Sequence, residues 1–219
     1  MLSNFSKHHF SLLFAFVYLK TVLHAQVLQL GSCPSPSVMS NFDIDQFSGK
    51  WYNNRNYFSI AQTGLDCVTT TYTNDGNGGS VFNIKIEGLK PNSAKKITAV
   101  GKGFVTSPGK ATVTFVDTIW NTGTENYLYA LAILDSDYTS YAVAWSCYPL
   151  GIGYLSLAWV LTREQNPPDA AIDAAIAVLQ TNQIDDKKLK IVKSAKLPMI
   201  PTFLQLEEFG YFLEVEQEP

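Results

Sequence analysis

Histidine is confined to the first 25 residues: His8, His9 and His24 are the three in this 219-residue chain. Without histidine after residue 25, the remainder cannot run Ser-His-Asp or Cys-His catalysis or hold a His-ligated metal. Cysteine is almost as scarce. Cys33, Cys67 and Cys147 allow at most one internal pair and one leftover, and counting alone leaves the pairing open. Arginine occurs twice, as Arg55 and Arg163, and no N-x-Ser/Thr glycosylation site follows the first 25 residues. Positive charge is also missing. Once Lys7 and Lys20 are set aside with the N-terminal segment, 14 basic residues face 19 acidic ones, a balance of −5 that favours no phosphate backbone. Nucleic acid is therefore not an expected partner. No long hydrophobic run is present either. Phe10 to Leu19 is too short to span a bilayer. Behind a weakly basic start and ahead of Ala25, it predicts a signal peptide over 1–25, with Gln26 as the first mature residue and a secreted, extracellular protein.

What the chain has is a succession of strand-like runs. Gly49-Lys50-Trp51-Tyr52 opens the first, after a short segment carrying Phe42, Ile44 and Phe47. A Gly at such an entry lets the backbone pass close to another element, and the indole supplies a large apolar plug with one N–H to satisfy. Runs of β-branched, aromatic or alternating residues follow over 67–73, 80–87, 95–105, 112–117, 126–134, 140–148 and 154–161. Turn signals separate them, including Asn74-Asp75-Gly76 and Ser107-Pro108-Gly109. Gly101 and Gly103 inside one run predict a bulge or bend. Eight strands with short connections read as an antiparallel sandwich or barrel. A helix is predicted over about 167–182. Asn166 is its expected cap, Pro167 and Pro168 suit its first positions, and Ile172, Ala175, Ile176 and Leu179 form an apolar stripe. Residues 185–192 read as a ninth strand. The segment 26–40 reads as irregular, and the acidic tail 201–219 stays unplaced.

Three short signals then occur in order: Gly49-x-Trp51, Asp137-Tyr138 in the turn between the sixth and seventh runs, and Arg163 after the eighth. Together with Cys33-Pro34, Tyr141 to Cys147 and Ala158-Trp159-Val160-Leu161, they resemble the lipocalin family over about residues 31–198. That resemblance implies an all-β, eight-stranded antiparallel up-and-down barrel with one C-terminal helix packed outside, in a single domain over 26–200. It also implies structural roles for Gly49, Trp51, Asp137, Tyr138 and Arg163, with Arg163 lying across the Trp51 indole at the barrel floor. It pairs Cys33 with Cys147. The partner that Cys67 would have in the family has no counterpart in Ala195 to Pro198, which leaves Cys67 as a surplus thiol or as the seat of a bond to a second chain.

An eight-stranded barrel has room for one small ligand. Strand alternation predicts that Leu155, Leu157, Trp159 and Leu161 share a face, as do Ala142, Ala144 and Ser146 on the preceding run, and Val68, Thr70 and Tyr72 on the second. The ligand-contact candidates are Tyr72, Trp159, Val68, Thr70, Ala142, Ala144 and Leu157. The function implied by the resemblance is carriage of a small hydrophobic molecule such as a fatty acid, sterol or retinoid, without a cofactor, a metal or catalytic residues. A bilin or carotenoid carrier is the alternative. A thiol-dependent lipid isomerase using Cys67 is a more distant one, opposed by the alternation that turns Cys67 away if Tyr72 faces inward. Apolar residues in the loops at one end, Ile60, Leu65, Leu89, Trp120, Leu150 and Ile152, would suit peripheral contact with a membrane or lipoprotein surface. A dimer linked through Cys67 is the remaining expectation.

Overall fold

The alternating runs pair edge to edge until the last meets the first. In the computed structural model, β2 (Gly49–Asn56), β3 (Asp66–Asn74), β4 (Val81–Leu89), β5 (Lys96–Ser107), β6 (Lys110–Phe115), β7 (Tyr127–Ser136), β8 (Tyr141–Pro149) and β9 (Gly153–Thr162) are antiparallel to their neighbours in chain order. Pairing of β9 with β2 closes an eight-stranded barrel. The structure describes residues 27–57, 59, 62, 64–76, 78–91, 93, 95–115 and 127–193, without the side chains of 27, 28 and 127–129. The expected signal segment, the tail 201–219, Ile60 and Trp120 lie outside the described residues.

Two strands extend the sheet. β1 (Val27–Leu30) pairs with the first half of β9, and β10 (Lys190–Ile191) with the second half of β2. The irregular reading of 26–40 is thus corrected at its start. Four residues carry too little alternation to announce a strand, and β1 forms only because β9 offers it an edge. Gly153 admits that approach, because a Cβ there would run into the Gln29 carbonyl. Gly101 and Gly103 make no bulge, and pairing runs through both without a slip. Register slips instead at Asn53/Arg55, Asp66/Thr69, Val105/Ser107 and Ile133/Asp135.

Two short segments complete the frame. The one-turn helix α1 (Ile44–Phe47) starts at Asp43, whose carboxylate accepts from the Asp45 and Gln46 amides. Helix α2 (Asp169–Thr181) buries Ala171, Ile172, Ala175 and Leu179. Its apolar stripe lies on the outside of the barrel against Ala132, Leu134, Val143, Trp145, Ala158 and Val160. The expected Asn166 cap is not used. Pro168 occupies the cap position with no side-chain hydrogen bond, so the helix is two residues shorter at its start than read from sequence. The arm before α1 is tied down by the Cys33–Cys147 disulfide, 114 residues apart in the chain, and by the Met39 amide donating to the Ile133 carbonyl.

Candidate functional site

The closed end of the barrel is built around one cation. The Arg163 guanidinium sits 3.7 Å from the Trp51 ring centroid. It donates to five backbone carbonyls: Tyr138 (2.8 Å), Lys50 (3.2 Å), Gln46 (3.1 Å), Phe47 (3.3 Å) and Ser48 (3.1 Å). Three of these are carbonyls at the C-terminal end of α1, which a cation complements. Trp51 is fully buried and gives its indole N–H to the Phe47 carbonyl at 2.9 Å. Gly49, at φ +106°, lies where a Cβ would come within 3.1 Å of Arg163 Nη1. Its left-handed backbone and its missing side chain are both used. Asp137 accepts from the Thr139, Ser140 and Tyr141 amides and from the Ser140 hydroxyl, and so shapes the β7–β8 turn. Tyr138, at φ +64°, receives the Asp43 amide on its hydroxyl and donates that hydroxyl to the Asn41 carbonyl. These five residues therefore tie α1, the start of β2 and the β7–β8 turn together at this end.

Above the floor stands a chain of aromatics. Phe47 contacts Phe42, Trp51 and Tyr72 at centroid distances of 4.9–5.1 Å, and Tyr72 reaches Phe82 at 6.0 Å. Phe82 packs against Gly103 and Phe115 against Gly101, since a Cβ at either glycine would overlap the ring opposite. The void left in this region is about 10 Å³, at the lower limit of the room one water needs. Tyr72 thus belongs to the packed floor. Burial pushes its phenol above the ordinary tyrosine value, and among the described residues its hydroxyl has no hydrogen-bond partner.

Toward the mouth the packing changes. On β9 the side chains that face outward, Ser156, Ala158 and Val160, are 0–2 % exposed. Those that face inward, Leu155, Leu157 and Trp159, are only half-buried. In a barrel filled with side chains this order would be reversed. The neighbouring strand β8 brings small residues, Ala142, Ala144 and Ser146, and β5 across the barrel brings Ala99; all sit on the inner face and are buried. Ile86 and Phe115 face the same space and stay half-buried.

Polar groups enter this space at two levels. Thr70 gives its hydroxyl to the Asn53 side-chain oxygen at 3.2 Å, both buried. Nearer the mouth, Gln62 Oε1 accepts from Asn56 Nδ2 at 2.6 Å and from the Trp159 indole N–H at 3.4 Å. The sequence reading missed Asn53, Asn56 and Gln62. Asn53 carried a signal, being a polar residue on the same strand face as Trp51. Gln62 carried none, because its loop brings it over the barrel only in three dimensions. Leu65, expected on the rim, folds inward with Val68 against Gly88. Leu150 and Ile152 do stand exposed at the mouth, and Leu30 and Tyr148 stand with them.

Of the seven predicted contact residues, Trp159, Leu157, Ala144 and Ala142 come together on neighbouring strands, with Trp159 opposite Ala144 and Leu157 opposite Ser146. Thr70 and Val68 lie on β3, and Tyr72 sits below them. Cys67 is not placed by alternation, since it takes φ +52° where the β3–β4 pairing slips. Among the described residues no group of three or more His, Cys, Asp or Glu could hold a metal ion, and no helix is long and apolar enough to cross a membrane.

Comparison with known proteins gives this geometry a context. Residues 48–196 match the model of the lipocalin / cytosolic fatty-acid binding protein family. Apolipoprotein D of Macaca fascicularis is 28 % identical over 177 residues, covering 79 % of this chain and 88 % of that one. The Lazarillo protein of Schistocerca americana is 27 % identical over 173 residues, covering 75 % of this chain and 76 % of that one. The solved structure of insecticyanin from the tobacco hornworm Manduca sexta superposes with a TM-score of 0.68 at 19 % identity, covering 78 % of this chain and 90 % of that one.

Proposed function

The chain belongs to the lipocalin family, and from that premise we propose that it is a secreted carrier of one small hydrophobic molecule held in the mouth half of the barrel. The observation that carries this reading is the inverted burial along β9, where inner apolar side chains keep surface that outer ones have lost. That surface is shape and grease with a few polar points, which suits a fatty acid, sterol or retinoid. Covering roughly 300 Å² of apolar ligand surface contributes about 7 kcal/mol before binding costs. Micromolar affinity needs about 8 kcal/mol net, so one or two hydrogen bonds decide the outcome. Asn56, Gln62 and the Trp159 indole, linked to one another near the mouth, are the polar groups that support this part of the reading. Secretion is supported by the signal-like 1–25 and by the Cys33–Cys147 disulfide, a bond that persists in oxidising compartments.

The test is to extract the purified chain with organic solvent, identify what is released by mass spectrometry, and titrate that compound back while following tryptophan fluorescence. The expected result is a lipophilic compound that binds at micromolar concentration or tighter. Trp159→Phe should abolish most of the fluorescence change and weaken binding about tenfold. No released compound, together with no response to fatty acids, sterols or retinoids, would overturn the reading. A visible absorption band in the purified protein would move it to a pigment carrier.

A lipid surface as the place of loading is favoured by the cluster at the mouth. Leu30, Leu150 and Ile152 are 83 %, 46 % and 87 % exposed, and the Gly31 amide donating to the Ile152 carbonyl brings the first and last together. Ile152→Glu with Leu30→Glu should reduce transfer of ligand from phosphatidylcholine vesicles and leave equilibrium affinity unchanged. Equal transfer rates would remove the surface from the account.

A further inference from the structure

The outer face of β4 and β5 is basic in an acidic protein. Between residues 81 and 115 there are six lysines and one acid, Glu87. All six lysines (85, 90, 95, 96, 102 and 110) are exposed. Lys85 and Lys96 both reach Glu87, so Lys85, Lys96 and Lys102 against that one acid give the two strands a net charge of about +2, with Lys90 and Lys95 in the loop between them and Lys110 at the start of β6 adding positive charge at their borders. Among these cations, on the same outer side, are Val100 and Phe104, 46 % and 44 % exposed, with Val81 cross-strand from Phe104. Helix α2 covers β7, β8 and β9 and leaves this face to solvent.

The last described residues leave the barrel beside it. The Lys193 carbonyl accepts from the Cys67 amide, at the mouth end of β3, and β3 is hydrogen-bonded to β4. β4 and β5 are thus the next two strands over, about 10 Å away at the usual strand spacing. The sequence that follows is complementary in both respects. Residues 201–219 carry Glu207, Glu208, Glu214, Glu216 and Glu218 with no basic residue, and Phe203, Phe209, Tyr211 and Phe212 among them. The stretch from 194 to 207 can span about 45 Å when extended, more than the roughly 25 Å that separate the mouth end of β3 from Phe104 at the far end of β5.

We propose that residues 201–219 dock on the outer face of β4 and β5, with their glutamates against Lys85, Lys96 and Lys102 and their aromatic rings on Val100 and Phe104. A second copy of this face is a poor occupant, since it brings the same positive charge. An anionic lipid surface would satisfy the lysines, but it is in competition with a tethered acidic segment already held at high local concentration.

Zero-length carbodiimide cross-linking of the full chain tests this. The monomer is isolated after cross-linking and its peptides are mapped by mass spectrometry. Expected are intramolecular links from glutamates 207–218 to Lys85, Lys96 or Lys102. They should fall at least tenfold in Lys85→Glu with Lys102→Glu, and fall steeply in 0.5 M salt. Circular dichroism should show both exposed lysine variants folded. Links to lysines elsewhere, links confined to a dimer band, or no tail links at all would overturn the proposal. So would tight sedimentation of the full chain with phosphatidylserine vesicles that protects these same lysines from acetylation.

Discussion

Arg163 holds together three pieces of chain that are far apart in sequence, and it does so by geometry as much as by charge. Its planar fork spreads five hydrogen bonds over α1, the start of β2 and the β7–β8 turn while its face covers Trp51. A lysine ammonium cannot reproduce that spread. Arg163→Lys should therefore destabilise by about 2 to 4 kcal/mol, most of the loss shown by Arg163→Ala, as read from urea midpoints. Gly103 is the other position where one atom decides the packing. A methyl group there collides with the Phe82 ring, which must leave the floor stack. Gly103→Ala should cost about 1 to 3 kcal/mol by overpacking, and adding Phe82→Leu should return part of it. A simple loss of backbone freedom would give no such rescue.

At the scale of elements, turns and short helices are fixed by side chains that accept backbone amides. Partial burial opposes ionisation of Asp137, but hydrogen bonds from Ser140, Tyr141 and Thr139 outweigh it and hold the carboxyl below the usual range. A carboxylate with a lowered folded value stabilises fully above its unfolded value, about 3.9, and loses that contribution as pH falls through the folded value. Asp137→Ala should thus cost roughly 1 kcal/mol at pH 7, discounted because the group is partly exposed, and clearly less at pH 2.5. Denaturant curves at the two pH values check the sign. An equal cost at both would mean that the turn gains nothing from the charge. The Asp137-Tyr138 pair was legible in the sequence as a turn. The left-handed backbone at Tyr138 was not, because only the Arg163 bond to its carbonyl and the hydroxyl contacts near Asn41 and Asp43 call for it.

For the whole molecule the disulfide and the barrel closure act together. Cross-linking residues 114 apart removes about 4 to 5 kcal/mol of unfolded-chain entropy on the chain-entropy model. Cys33→Ser with Cys147→Ser should lower the Tm by roughly 10 to 15 °C, measured by calorimetry at fixed protein concentration. A change under about 2 °C would show that the arm is held by β1 and by the Met39 and Ile133 hydrogen bonds alone. Since the arm also packs Val38 toward α2 and Met39 toward the floor, its release should loosen both ends of the barrel.

Alternation, turn residues and three short motifs determined the order of eight strands, the outer helix and the residues of the floor, because each of these is written in local spacing. Tertiary structure alone decided where the interior is full and where it is open. Tyr72 shares a strand face with Thr70 and Val68, yet it joins the floor because Phe47 and Phe82 arrive from other parts of the chain. Alternation places Leu157 and Trp159 on the inner face and makes them contact candidates, but that they keep exposed surface there depends on the small Ala142, Ala144 and Ser146 beside them on β8. A strand fixes which side each residue takes; what stands opposite depends on closure of the sheet, and that is a long-range contact no local pattern records.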